Sequence, residues 1–396
     1  MRRSRWSKLL ALLMAFGLIA AACGDDDDAA DGDDTTEETA AGGDEGGDDG
    51  GDEGGDAAVA LGDICPSPII IQTDWNPQAE HGALYQMVGE GYEIDTDAKV
   101  VTGPLVAGGA ETGVDIEIRI GGPAIGFQQV TAQMYQDQSI HLGYVSTDEA
   151  IQNFEDNPTK AIVAPLEINP QIIMWDPETF DAETIADLPD DTLINVFGPA
   201  VYLDYLVGND IIVESQIDGS YDGTPARFIT EGGSIAQQGF ASAEPYLYEN
   251  VFEDWGKPVS FQLIHDAGWE VYAAPLAGRP DVIDENAACW EAFVPVVQQS
   301  VVDYVADPTT TNELIIELVE AYDTGWVYET DLANWSIEQQ LDLGLVGNGP
   351  DATLGNFDID RIQKVIDDYI AAAGVGEGVT PDDLVTNEYI DESIGL

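Results

Sequence analysis

Apolar and polar positions change their period repeatedly along this chain, and each change marks an element. Ile69-Ile70-Ile71-Gln72-Thr73 is a short β-branched run that predicts a buried strand. Asp74-Trp75-Asn76-Pro77 predicts a turn, and His81 to Val88 a helix. Ile116-Glu117-Ile118-Arg119-Ile120 alternates strictly, so it reads as a second strand, stopped by Gly121-Gly122-Pro123. Phe127 to Gln136 reads as helical. His141 to Val145 predicts a third strand, followed by a helix running to Phe154 that Ser146 or Thr147 caps. Ala161 to Ala164, Ile172 to Trp175, Leu193 to Phe197 and Gly239 to Ala241 are further strands, and a helix containing Tyr202 follows Gly198-Pro199. The last third is mostly helical. Its stripes, such as Trp290, Phe293, Val294, Val297, Val301 and Tyr304, or Ile359, Ile362, Ile366, Tyr369 and Ile370 behind an Asp358 cap, are core by default.

Strands alternating with helices predict an α/β architecture with mostly parallel sheets. In such sheets ligands sit beyond the carboxyl ends of strands, at helix amino termini. That rule puts Trp75, Ser146, Thr147 and the Gly198–Tyr202 turn on the functional rim.

Charge changes the picture at the amino end. Residues 1–23 carry Arg2, Arg3, Arg5 and Lys8 and no acid, and Leu9 to Ala22 is apolar but too short to span a bilayer. The stretch ends Leu18-Ile19-Ala20-Ala21-Ala22-Cys23-Gly24, which resembles the bacterial lipobox. That resemblance implies a lipoprotein signal peptide over 1–23 and lipidation of Cys23; the alternative is an ordinary secretory signal with an incidental cysteine. Residues 24–58 hold 16 acids, no base and almost only Asp, Glu, Gly, Ala and Thr. With no apolar face to offset ordering entropy, this segment is expected to be a disordered, self-repelling linker spanning roughly 30–35 Å.

The whole chain has a formal net charge of −64, and residues 59–396 alone hold 60 acids against eight bases. A polyanionic partner would meet repulsion over nearly the whole surface, which excludes nucleic acid. The imbalance also suits a saline habitat, where carboxylates keep the surface hydrated and salt screens them. Besides Cys23 the chain has Cys65 and Cys289, a candidate disulfide in an oxidising compartment, the alternative being two buried thiols.

Catalytic signatures are missing. There is no phosphate loop, Gly232-Gly233-Ser234-Ile235-Ala236 lacks the final glycine of a nucleophile elbow, and His81, His141 and His265 are widely spaced. No metal site, cofactor or enzymatic activity is therefore expected.

Three further stretches carry a resemblance. Thr73-Asp74-Trp75-Asn76-Pro77-Gln78-Ala79-Glu80-His81-Gly82-Ala83-Leu84-Tyr85 is similar to the opening of solute-binding lipoproteins of ABC importers in the nitrate/sulfonate/taurine and thiamine-pyrimidine-synthase-like superfamily. Ser220 to Phe228 resembles it too, as does Gln237 to Tyr246 followed by Trp255-Gly256-Lys257-Pro258. The resemblance covers roughly residues 66–370 and implies a type II periplasmic-binding-protein fold, with two α/β lobes, two hinge crossings and the ligand in the cleft. Lobe I is then expected over 66–164 plus 265–396 and lobe II over 165–264, with hinges near Ala164–Ile168 and Leu263–Asp266. The implied partners are a small solute, an ABC permease with its cytoplasmic ATPase, and the membrane through a lipid anchor; the protein is expected to be a monomer outside the bacterial cell membrane.

Strand ends and this resemblance together nominate the ligand-binding side chains. Trp75 offers a rigid face for stacking, and Asn76 a donor and an acceptor. His81 lies at a helix start, where a neutral imidazole is favoured. Thr147 and Tyr202 occupy equivalent helix starts of the two lobes. Glu244 is a carboxylate at a strand end that suits an amine or ring N–H; Tyr246 and Tyr272 complete the set. These groups favour a neutral or aromatic, nitrogen-bearing solute such as a pyrimidine or vitamin precursor. Nitrate, sulfonate or taurine is the alternative, relying on Arg119, Arg227, Arg279 or helix ends. A pyrimidine-synthase-like enzyme, which uses a histidine as reactant and a Cys-rich iron motif, is a reading of another class.

Overall fold

Ile69–Gln72 (β1) is buried along its whole length because it is covered on both faces and paired on both edges. A computed structural model describes residues 59–198 and 200–396. The signal peptide, Cys23 and the acidic linker lie outside the described residues. Around β1 a seven-stranded sheet is built from Glu93–Asp95 (β2), Val100–Ala107 (β3), Ala110–Arg119 (β4), Leu142–Tyr144 (β5), Lys160–Val163 (β6) and a late strand. A five-stranded sheet holds Gln171–Trp175 (β7), Ile194–Asn195 (β8), Ile217–Asp218 (β9), Ala236–Phe240 (β10) and Ser260–Leu263 (β11). Leu276–Gly278 (β12) is the late strand of the first sheet. The spatial orders are β2-β3-β4-β1-β5-β12-β6 and β11-β7-β10-β8-β9.

The sheets are mixed, which corrects the expectation of mostly parallel pairing. β1 runs parallel to β4 and β5, and β8 parallel to β9 and β10. The other pairings are antiparallel, for two reasons. First, β3 and β4 are joined by Gly108-Gly109, both at positive φ, a tight turn that reverses the chain. Second, the chain leaves the first sheet after Val163 and returns at Leu276, directly opposite Val163. Re-entering at the end from which it left, β12 must run against β6. In the second sheet Leu263 is likewise opposite Ile172, so β11 runs against β7. The two crossings between sheets therefore lie side by side.

The helices follow the apolar stripes. Ile359–Ala373 is capped by the Asp358 side chain and buries Ile362, Val365, Ile366 and Tyr369. These side chains join a cluster with Ile151 of the helix Thr147–Gln152 and Leu203 and Leu206 of the helix Val201–Gly208, so this helix packs against helices that follow strands of both sheets. Ala287–Ala306 buries Trp290, Phe293, Val294, Val297, Val301 and Tyr304. Cys289, in its first turn, forms a disulfide with Cys65, 224 positions earlier. Closing so long a loop stabilises the fold by about 5 kcal/mol in the chain-entropy account.

The helix expected from Phe127 begins at Val130 instead. Gly126 ends a preceding short turn in the left-handed region, and Phe127 follows at φ 59°, which stops a helix from starting there. Phe127 is left 59% exposed, its ring projecting beside the exit of β1.

Candidate functional site

The carboxyl ends of β1 and β10 face one another across a gap between the two sheets. β1 is followed by Thr73-Asp74-Trp75, and the Thr73 hydroxyl donates to the Trp75 carbonyl at 2.9 Å. The chain stop after β4 lies directly on this turn. Gly121 N–H donates to the Trp75 carbonyl at 3.1 Å, and Gly122 N–H to the Asp74 carbonyl at 2.9 Å. Both positions need glycine: a Cβ on Gly121 would stand 2.3 Å from the Thr73 oxygen, and one on Gly122 2.7 Å from the Trp75 ring.

From this turn an arc of aromatic rings crosses the gap. Trp75 meets Trp326 at 6.4 Å and Phe127 at 5.9 Å, Phe127 meets Phe197 at 6.3 Å, and Phe197 meets Tyr221 at 4.8 Å. On the β10 side, a Cβ on Gly239 would stand 2.9 Å from Glu244 Cγ, so glycine there lets the glutamate fold back over the strand end. Glu244 Oε2 accepts the Phe240 N–H at 2.7 Å. Burial, opposed only by backbone hydrogen bonds, pushes the Glu244 carboxyl up to about 7, and the nearby Glu80 adds to the rise.

These groups enclose a cavity of about 160 Å³, lined by Asp74, Trp75, Gln78, Phe197, Tyr221, Gly223, Gln238, Gly239, Phe240, Ala243, Glu244 and Trp326. No lysine or arginine lines it. Gln238 spends its oxygen on Phe197 N–H and the Tyr202 hydroxyl, at 3.1 and 3.2 Å, leaving its amide hydrogens for an occupant. A larger hollow of about 800 Å³ opens over β2, β3 and β4, but one sheet alone lines it and no aromatic ring contributes. Among the described residues no group of three or more His, Cys, Asp and Glu is arranged to hold a metal ion.

Of the eight nominated side chains, Trp75 and Glu244 line the cavity. The other six stand elsewhere, each for a definable reason. His81 is buried with Nε2 2.8 Å from Asp74 Oδ1 and its ring 5.3 Å from Tyr144, so it orients a cavity carboxylate. Asn76 accepts from the Thr324 hydroxyl at 2.8 Å and ties the Trp75 turn to the loop that carries Trp326. Tyr202 holds Gln238 from behind. Thr147 is consumed by the Tyr272 backbone, its Oγ1 accepting the Tyr272 N–H at 3.2 Å. Tyr272 itself lies under the Arg361 guanidinium, 3.8 Å away, and its hydroxyl accepts the Asp358 N–H at 3.0 Å. Tyr246 packs against Trp335 at 5.5 Å.

Sequence reasoning missed Phe197, Tyr221, Gln238, Phe240 and Trp326. Four of these had a signal: Phe197 ends a predicted strand, and Tyr221, Gln238 and Phe240 fall inside the stretches that carry the resemblance. Trp326 had none, because it comes from an irregular loop between two helices.

No family model and no curated relative matches the sequence. Solved structures do. The ligand-binding component of an ABC-type import system from Staphylococcus aureus, with zinc bound, is 12% identical over 81% of this chain and 97% of its own, with a TM-score of 0.52. The alkanesulfonate-binding protein SsuA from Xanthomonas axonopodis pv. citri, bound to MOPS, is 9% identical over 81% and 99%, with a TM-score of 0.51. An ABC transporter protein from Parabacteroides distasonis is 12% identical over 82% and 100%, with a TM-score of 0.50. At such identities the likeness is one of architecture: the chain has the mixed α/β, two-sheet fold of periplasmic binding proteins.

Proposed function

We propose that this chain is an extracytoplasmic solute-binding protein, which captures a small nitrogen-bearing organic solute between Trp75 and Glu244 and delivers it to an ABC permease. The observation that carries this reading is the cavity between the facing ends of β1 and β10, walled by rings and carboxylates drawn from both sheets. The two adjacent crossings support hinge closure of 165–264 against 66–164 plus 265–396, a population shift toward a state with better solute contacts. The fold supports the transport setting, since the structures it resembles include components of ABC import systems. A lipid on Cys23 and the acidic segment would hold the body outside the membrane within reach of its permease.

Sulfonate or nitrate capture, the alternative that the Xanthomonas protein suggests, fits this cavity less well. An anion there would face Asp74 and Glu244 with no lysine or arginine in the lining. The test is a thermal-shift screen of the full-length protein against heterocyclic bases, amines, vitamin precursors, sulfonates and nitrate. A nitrogen-bearing compound that raises the melting temperature, with the shift lost in Trp75→Ala, supports the reading. Stabilisation by sulfonates alone contradicts it.

A further inference from the structure

Resting on that reading of the cavity, we infer that the solute is an organic cation, a substituted ammonium held by the aromatic arc and opposite the Glu244 carboxylate. Three independent features of the cavity converge on this. The first is charge. Asp74 and Glu244 both line the cavity with no lysine or arginine in its lining; Asp74 has the His81 imidazole 2.8 Å away, and Glu244 has no basic side chain as partner. The cations that sequence reasoning offered to an anionic solute are occupied elsewhere: Arg119 by Glu117 and Asp137, Arg227 by Asp218, and Arg279 by the Met134 and Ile140 carbonyls. Glu244 makes its hydrogen bond to a backbone N–H and forms no ion pair among the described residues. A positive group entering here supplies the missing countercharge.

The second feature is the rings. Trp75, Phe197, Tyr221, Phe240 and Trp326 line the same small space as the two carboxylates. Ring faces attract a cation through their quadrupole, best for tryptophan and most strongly where water is excluded. The attraction survives alkylation of nitrogen, so it suits a methylated ammonium that a carboxylate alone holds poorly. The third feature is size. A cavity of about 160 Å³ is room for a compact cation. Gln238 and the Trp326 indole N–H, which is buried without a partner, are donors left for an acceptor on the same solute.

The probes are isosteres. Calorimetry on the full-length protein compares choline with 3,3-dimethyl-1-butanol, its neutral carbon analogue, and adds methanesulfonate and uracil. Choline is expected to bind at least tenfold more tightly than the neutral analogue, and methanesulfonate not at all. Glu244→Gln is expected to narrow the gap between choline and the analogue. Trp75→Leu keeps apolar bulk but removes the ring, and is expected to weaken choline more than the analogue. Equal affinity for choline and its analogue overturns the inference. Tighter binding of methanesulfonate or uracil than of choline also overturns it, while leaving a solute-binding role standing in the uracil case. If none of the four probes binds, the inference is overturned for compact cations, and the broader screen decides the proposed function separately.

Discussion

Gly122 lies against the indole of Trp75 so closely that any side chain there would collide with the ring, the built Cβ standing 2.7 Å from it. Its φ of +56° adds a second reason for glycine, since L side chains rarely adopt that region. The glycine thus sets where one of the two tryptophan rings of the cavity stands. Gly122→Val is expected to cost about 1–3 kcal/mol in stability from backbone strain. It is also expected to weaken solute binding at least tenfold by turning Trp75 out of place. Urea unfolding and a binding titration on the same preparation check the two parts separately.

Three half-buried glutamates give stability a definite pH dependence. Burial pushes Glu244, Glu149 and Glu167 each up to about 7, above the ordinary value of 4.5. Between those values the folded chain holds protons that the unfolded chain has released, so stability falls as pH rises from about 4.5 to about 7. Denaturant unfolding at constant ionic strength is expected to give a higher midpoint at the acidic end of that window. Glu244→Gln should flatten the slope, because a neutral amide does not titrate.

Binding of a cation has the opposite sign. A cation favours ionised Glu244, so affinity should be greatest above about 7 and decline below it. Glu80, Tyr221 and Tyr248 face the same carboxylate. Burial first, and the Glu244 charge second, raise both tyrosines far above their ordinary range, so they stay neutral throughout that window. Titrations at several pH values check this, and a pH-independent affinity would count against a charged contact at Glu244.

The disulfide joins the start of the described body to the first turn of Ala287–Ala306. Replacing Cys65 and Cys289 together by serine is expected to cost about 2–5 kcal/mol. Denaturation of that variant and of the parent with reductant should give matching losses.

Salt is expected to stabilise the body. With 60 acids against eight bases over residues 59–396, repulsion is strong and is screened as ionic strength rises. Melting temperature should climb between about 0.05 M and about 1 M salt, as the screening length shrinks to about 3 Å. An unchanged melting temperature would remove the argument for adaptation to brine.

Much of the architecture could be read from local pattern, and the exceptions share a physical cause. β1, β5, β7 and the Asp358-capped helix are announced by short apolar runs or a 3.6-residue stripe. β2 is missed because Glu93-Ile94-Asp95 is an exposed edge with little apolar content. β3 is missed because Gly103 and Pro104 interrupt it, and the register shifts there. The site was harder. A strand-end rule finds Trp75 and Glu244, because each sits just past a buried strand. The same rule picks Thr147, whose hydroxyl the Tyr272 backbone takes, a contact 125 positions distant that no local pattern reveals. Trp326 reaches the cavity from an irregular loop, tied down by Thr324 to Asn76. Sequence periodicity carries no information about such a tie.

The most direct test is a calorimetric titration of the best solute from the screen into the full-length protein and its Trp75→Ala, Glu244→Ala double variant. Saturable one-to-one binding in the parent, abolished in a double variant that still melts cooperatively, is the predicted result. Binding of equal affinity in both proteins would contradict the account, because the solute would then sit away from the gap between β1 and β10.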